Sequence, residues 1–205
     1  MDDEVCREAS KQEIIRRYYQ GLCDVKRGLE SKETLYKLEL IMKQAGITTE
    51  DRNVVNMALA REKETGHPAA AMQLLDGTII TGKTSDLLGA SAAVLLNALK
   101  VLGGIDHERH LVSPKAIEPI QTLKTNYLGS RNPRLHTDEI LIALSTSAAS
   151  DPIALQALKQ IPKLQGVEVH SSVLLSSVDE KVFKRLGVHL TSEAKYESED
   201  KLYHK

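Results

Sequence analysis

The chain has no tryptophan, one phenylalanine and two cysteines in 205 residues. With so little aromatic mass the core must be aliphatic, and 41% hydrophobic residues are enough to build one. Cys6 and Cys23 are too few for a disulfide framework. They fall on one predicted helix, too far apart to bridge, and read as ordinary packed thiols. Charge of one sign is lacking as well: 27 Lys+Arg against 28 Asp+Glu leaves a formal charge of −1 and a pI near 6.7. Nucleic acid is therefore not an expected partner, because displacing counterions from phosphates needs a positive surplus. No apolar run approaches the ~18 residues of a membrane span, and no charged start leads into an apolar signal core. The expectation is a soluble, cytoplasmic, globular protein without a membrane partner. Internal repeats and low-complexity segments are missing too.

The first third reads as helices only. Ile15, Tyr18, Leu22, Val25 and then Leu29 form one helical stripe. Leu35, Leu38, Met42 and Ala45 mark a second helix that Gly46 ends, and Thr48 with Asp51 caps a third running through Val54, Val55, Ala58 and Leu59. Three such helices bury little alone, so they are expected to pack on the rest of the chain or on another subunit. From His67 the pattern changes to two strands, 70–75 and 78–81, with Asp76-Gly77 as a type I′ turn. Residues 86–102 predict a helix apolar nearly all round, hence central, and 110–112 a short strand. Ser113-Pro114 opens a helical stretch that Pro119 is expected to divide. Helices starting near Thr137 and at Asp151-Pro152 follow, then a strand over 167–175. A helix capped by Ser177 and Glu180 and a strand over 188–191 complete the series. Lone histidines on strands, such as His170, read as buried polar residues. The expected organisation is a helical segment over 1–66, an α/β/α domain over 67–194 with a mixed, mainly parallel sheet, and a flexible tail over 195–205.

Two constellations carry chemistry. Gly77-Thr78-Ile79-Ile80-Thr81-Gly82-Lys83-Thr84 satisfies the phosphate-loop pattern, but Thr-Ile-Ile-Thr prefers an extended strand to a curled anion nest. A weaker version survives: Lys83, Thr84 and Ser85 at the start of the central helix, where free amides, a cation and hydroxyls would hold an anion. Simple capping is the competing reading. The second constellation is the loop Ser130 to Glu139, where Arg131, Arg134 and His136 suit carboxylate or phosphate recognition. Asp138 and Glu139 are its acid–base candidates, although a Thr137 cap with two first-turn acids explains the same residues. The spacing supplies no set of metal ligands, and neither metal nor cofactor is expected.

The segments Ser10 to Tyr19, Thr81 to Ser91 and Asn132 to Glu139 together resemble a bacterial family catalogued as domain of unknown function 1846, over nearly the whole chain. The resemblance is to the C-terminal part of proteins roughly twice this length, as an extra domain would require. It suggests a shortened reading frame, an excised piece, or the partner of a separately encoded N-terminal half. It also implies a helical segment followed by a three-layer α/β/α domain similar in topology to cytidine deaminases. The places where zinc deaminases carry H-x-E or C-x-E and P-C-x-x-C hold Thr84-Ser85-Asp86-Leu87 and Ser113-Pro114-Lys115-Ala116 here, so the fold is implied without the chemistry.

The function expected from these readings is binding of an anionic small molecule, nucleotide-like or a phosphorylated metabolite, by Lys83, Thr84, Ser85, Arg131, Arg134 and His136. Two alternatives stand beside it: a homo-oligomerisation domain working through Tyr18, Tyr19 and Leu22, and a phosphate-loop NTPase.

Overall fold

The computed structural model describes residues 2–197. Helix α1 (Asp2–Arg27) turns back into α2 (Lys32–Ala45), which Gly46 ends as expected. Beyond Ile15 the buried stripe of α1 is shifted by one residue, roughly 100° round the helix, from the expected one: Ile15, Tyr19 and Cys23 are buried, Tyr18 and Leu22 are half-buried, and Leu29 lies beyond the helix, exposed. Tyr19 lies in a small internal cluster with Met42, Ile47 and Val55, and Tyr18 and Leu22 pack half-buried against it. The Cys23 thiol donates to Ser192 O at 3.3 Å, and burial pushes its pKa up to about 12. Cys6, by contrast, is exposed rather than packed. Asp51 accepts from Thr48 N at 2.7 Å, but the cap opens a single 3-10 turn before α3 (Asn53–Thr65).

The hairpin follows, with β1 (Ala69–Gln73) paired antiparallel to β2 (Ile79–Lys83). Its turn is not type I′, because Gly77 alone has positive φ, at 87°, and Asp76 does not. Gly77 N bonds Leu74 O at 2.9 Å and Leu74 N bonds Thr78 O at 2.9 Å. A three-residue loop ending in a left-handed glycine is the next commonest hairpin solution, and glycine takes that conformation at no steric cost.

Helix α4 (Ala90–Gly103) starts later than expected, while α5 (Pro114–Thr122) runs through Pro119 into a wide π turn over Leu123–Tyr127. The strand expected at 110–112 does not form; Leu111 and Val112 are buried in irregular chain. Helices α6 (Thr137–Ser147) and α7 (Pro152–Leu158) lead to β3 (Glu168–Ser171), shorter than the expected strand. Then come α8 (Ser177–Arg185) and β4 (His189–Ser192).

The sheet is mixed, with order β2-β1-β3-β4. Strand β1 is antiparallel to both neighbours and β3 is parallel to β4, so β2, β3 and β4 run one way and end on the same side. Among the described residues one of the three pairings is parallel, rather than most of them. Alternation along β1 divides the layers, as period two requires. Ala71 faces Val54 and Ala58 of α3, while Ala70 and Met72 join Val169, Ile80 and the buried face of α4. Helices α1 and α3 therefore cover one face, and α4 with the later helices covers the other. On the first face Arg52, 1% exposed, donates to Thr191 Oγ1 at 3.0 Å, Val169 O at 3.2 Å and His189 O at 2.9 Å, and pairs with Glu168. His170 is buried beside it, bonded to Thr191 Oγ1 at 2.8 Å and edge-on to the Tyr19 ring at 4.8 Å.

Of the expected tail, residues 198–205 lie outside the described residues. Residues 195–197 are tied down: Leu174 N bonds Lys195 O at 2.8 Å, and Glu197 pairs with Arg134. Among the described residues no helix is long and apolar enough to cross a membrane.

Candidate functional site

Where β2 and β3 end, the chain leaves the sheet in two loops, 84–89 and 172–176. The first explains the late start of α4. Ser85 Oγ accepts from Leu87 N at 3.3 Å and Leu88 N at 3.2 Å, offering those amides a local alternative to helix. Leu88 then forms a parallel bridge with Leu135, with Leu135 N bonded to Leu87 O at 2.9 Å and Gly89 N to Leu135 O at 3.3 Å. This staple sets the first turn of α4 beside the Arg134–His136 loop. The amides of Ala90, Ser91 and Ala92 have no acceptor among the described residues. They are the donors that a helix start leaves for water or a ligand.

Lys83, Thr84 and Ser85 therefore do not open the central helix. Lys83 ends edge strand β2 with its side chain exposed, Thr84 N donates to Pro68 O at 2.8 Å, and Ser85 is occupied by the staple. Nor is the glycine-rich stretch a phosphate loop. Residues 79–83 are extended, and Gly82 lies flat on α4, where a Cβ would stand 2.3 Å from Val94 N. The glycine serves close packing of strand on helix.

At the start of α6 the cap is His136, one residue before the expected Thr137. Glu139 accepts from His136 N at 2.8 Å and pairs with the buried Lys124 Nζ at 2.7 Å, which also donates to Arg134 O at 2.6 Å. Asp138 accepts from Glu139 N at 2.8 Å. Both proposed acid–base residues are thus used in the first turn of the helix, and neither lines the cavity described next.

The acid that reaches the site is Asp179, which sequence reasoning missed. It is 3% exposed and is the third residue of α8, whose capping residue is Ser176 rather than Ser177. Its Oδ1 accepts from Thr137 N at 2.9 Å and Thr137 Oγ1 at 2.8 Å. Its Oδ2 accepts from Ser176 Oγ at 2.8 Å and lies 2.9 Å from His136 Nδ1. Burial alone would push the carboxyl up. The His136 hydrogen bond and charge, with the Thr137 amide and Ser176 hydroxyl, more than offset it and hold the pKa below the ordinary carboxylate value. The Asp179 hydrogen bond in turn raises His136 above its ordinary value, against the opposing effect of burial. With Asp179 ionised, His136 Nδ1 carries the donated proton, and Nε2 is an acceptor in the neutral ring and a second donor in the imidazolium.

These groups border two neighbouring hollows whose linings share Asn132, His136, Leu174, Leu175 and Ser176. The inner one, about 50 Å³, lies against Gly89, Ala90 and Ser91 of α4 and is bordered by Thr84, Arg134, His136 and Asp179. The outer one, about 920 Å³, is bordered by Arg27, Arg131, Asn132, His136 and Tyr196. Of the residues singled out from sequence, Thr84, Arg134 and His136 meet in the inner hollow, and Arg131 stands with His136 in the outer one. Lys83, Ser85, Asp138 and Glu139 line neither. Among the described residues no group of three or more His, Cys, Asp or Glu side chains could hold a metal ion.

Residues 50–203 match the family model described as domain of unknown function DUF1846, C-terminal, and residues 1–46 match its N-terminal counterpart. The chain belongs to the DUF1846 family. A UPF0371 protein of Corynebacterium aurimucosum is 58% identical over 205 residues, 100% of this chain and 41% of its own length. One from Corynebacterium urealyticum is 57% identical over 195 residues, 95% of this chain and 39% of the relative. A third, from Streptococcus thermophilus, is 48% identical over 204 residues, 100% of this chain and 41% of the relative. The chain thus spans about two fifths of the length of the curated relatives it matches. The DUF1846 description carries no activity, so the chemistry of the site is argued from its geometry.

That geometry brings the N-termini of three helices, α4, α6 and α8, to one point. Asp179 serves two of them as the anion that complements a positive helix end, through the Thr137 amide of α6 and its own place in the first turn of α8. The third, α4, has the hollow in front of it.

Proposed function

We propose that this family domain binds an anionic small molecule, nucleotide-like or a phosphorylated metabolite, with its negative group against the first turn of α4 and its body in the outer hollow. The single observation that carries the reading is the row of unpartnered amides at Ala90, Ser91 and Ala92, the first two of which border a cavity that Arg134 and His136 also line. The site lies outside the carboxyl ends of β2 and β3, on either side of the reversed strand β1, where open α/β sheets bind their ligands. An outer volume of about 920 Å³ falls within the range of small-molecule sites. His136, oriented by Asp179, is the group that would exchange a proton with the guest. The finer reading of the fold, deaminase-like without the zinc motif, is supported by the hairpin with α4 packed on it.

The test is thermal unfolding with inorganic phosphate, pyrophosphate, nucleotides and phosphorylated sugars. A ligand at about one hundred times its Kd adds about 2.7 kcal/mol. At this chain length that is a rise of roughly 5–10 °C. The rise should vanish in Arg134→Gln. No rise with any of these compounds overturns the reading.

A further inference from the structure

We propose that the outer face of α2 is the docking surface for the N-terminal region that longer members of the family carry beyond the part this chain covers. The inner face of α2 is accounted for: Leu35 and Leu38 meet Gly21 of α1, and Met42 enters the small core with Ile15 and Tyr19. On the outer face Tyr36 is 69% exposed, Leu40 47% and Ile41 45%. Tyr36 and Leu40 stand one turn apart on the same face and Ile41 flanks them, so the exposed apolar residues cluster rather than scatter.

The occupant is indicated by where the family divides. Residues 1–46, which are α1 and α2, match the N-terminal domain of the family, while the chain covers only 39–41% of its relatives. Helices that close a larger domain present an apolar face to it, and α2 has such a face left over after packing on α1. Leu29, in the turn between α1 and α2 and 74% exposed, also borders the outer hollow. A region seated on α2 and Leu29 reaches the rim of that hollow and adds a wall to it. The docking surface stands independently of the anion-binding reading.

The N-terminal region of the Corynebacterium aurimucosum relative, made as a separate polypeptide, is mixed with the 205-residue chain and followed by gel filtration with light scattering. A one-to-one complex is expected, weakened roughly tenfold or more by Tyr36→Glu with Leu40→Glu. Because that region could fail to fold alone, amide exchange across residues 36–41 is also compared between the free chain and a single polypeptide joining the two. Exchange should slow roughly tenfold in the joined protein. A complex indifferent to the substitutions, equal exchange in both forms, or self-association of the chain through the same residues overturns the proposal.

Discussion

Asp179→Asn is nearly isosteric and removes one buried charge. Its oxygen keeps the Thr137 amide and hydroxyl, but its NH₂ now faces His136 Nδ1 and the Ser176 hydroxyl, both of which had been donating to Oδ2. His136 must change tautomer or lose its partner. A hydrogen bond to a charged group contributes ~1.5–3 kcal/mol, and breaking a buried pair costs ~3–5 kcal/mol. The His136 side chain keeps 23% of its exposure and can shed its proton, so the loss belongs near the lower figures, about 2–3 kcal/mol. For a domain of this length that lowers Tm by roughly 4–12 °C.

The pH dependence separates this account from general damage. His136 is raised above its ordinary 6.5, so its contribution is complete below that value and is lost as pH climbs through the folded pKa. Asp179 is lowered below its ordinary 3.8, so its contribution is present above that value and is lost as pH falls through the folded pKa. The gap between wild type and Asp179→Asn should be widest from about pH 5 to about pH 6.5 and should narrow as pH rises further, through the raised His136 pKa. Guanidinium unfolding followed by circular dichroism across that range reads it directly. A gap that stays constant with pH, or never exceeds ~1 kcal/mol, refutes the charge-assisted pairing.

Gly82→Ala should destabilise by about 3 kcal/mol, the upper end of overpacking, because the new methyl meets the backbone of a buried helix at Val94 N; the denaturant midpoint should fall with the m-value unchanged. Lys83→Ala should change stability by less than ~0.5 kcal/mol and leave the melting shift given by pyrophosphate or a nucleotide intact, whereas a phosphate loop would lose its ligand. Glu197→Gln should raise the affinity of calorimetrically titrated pyrophosphate several-fold, by freeing Arg134 from its internal carboxylate; unchanged or weaker binding would count against Arg134 as an anion contact.

What could be read from the chain in advance was the part decided locally. Gly46, the Asp51 cap, the hairpin and the capped starts of α5 and α7 all rest on residues within a few positions of one another, and each formed close to where it was expected. The errors lie where a distant partner decides. Asp86-Leu87-Leu88 looks helical, yet the bridge from Leu88 to Leu135 keeps the segment out of the helix and moves the start of α4 to Ala90. Leu111 and Val112 look like a strand but find burial without a neighbour to pair with. Asp179 is the clearest case. Within its own helix it is an ordinary acid three residues after a capping serine. Its second role depends on Thr137 and His136, which nothing near it in the chain announces.

On the proposed anion-binding reading, the Arg134–Glu197 pair limits what kind of anion would be preferred. Glu197 already offers Arg134 a carboxylate but makes no hydrogen bond to the amides of α4 among the described residues. A monocarboxylate guest would only exchange one such contact for another and pay translational entropy to do so. A phosphate monoester has more acceptor oxygens and a second charge. It can take the Arg134 guanidinium with one edge and the Ala90 to Ala92 amides with another, while Asp179 repels any anion that moves deeper. Doubly charged phosphates should therefore displace Glu197 where carboxylates of the same size do not. A titration of methyl phosphate against acetate would test this, since equal affinity for the two would mean that the amides take no part.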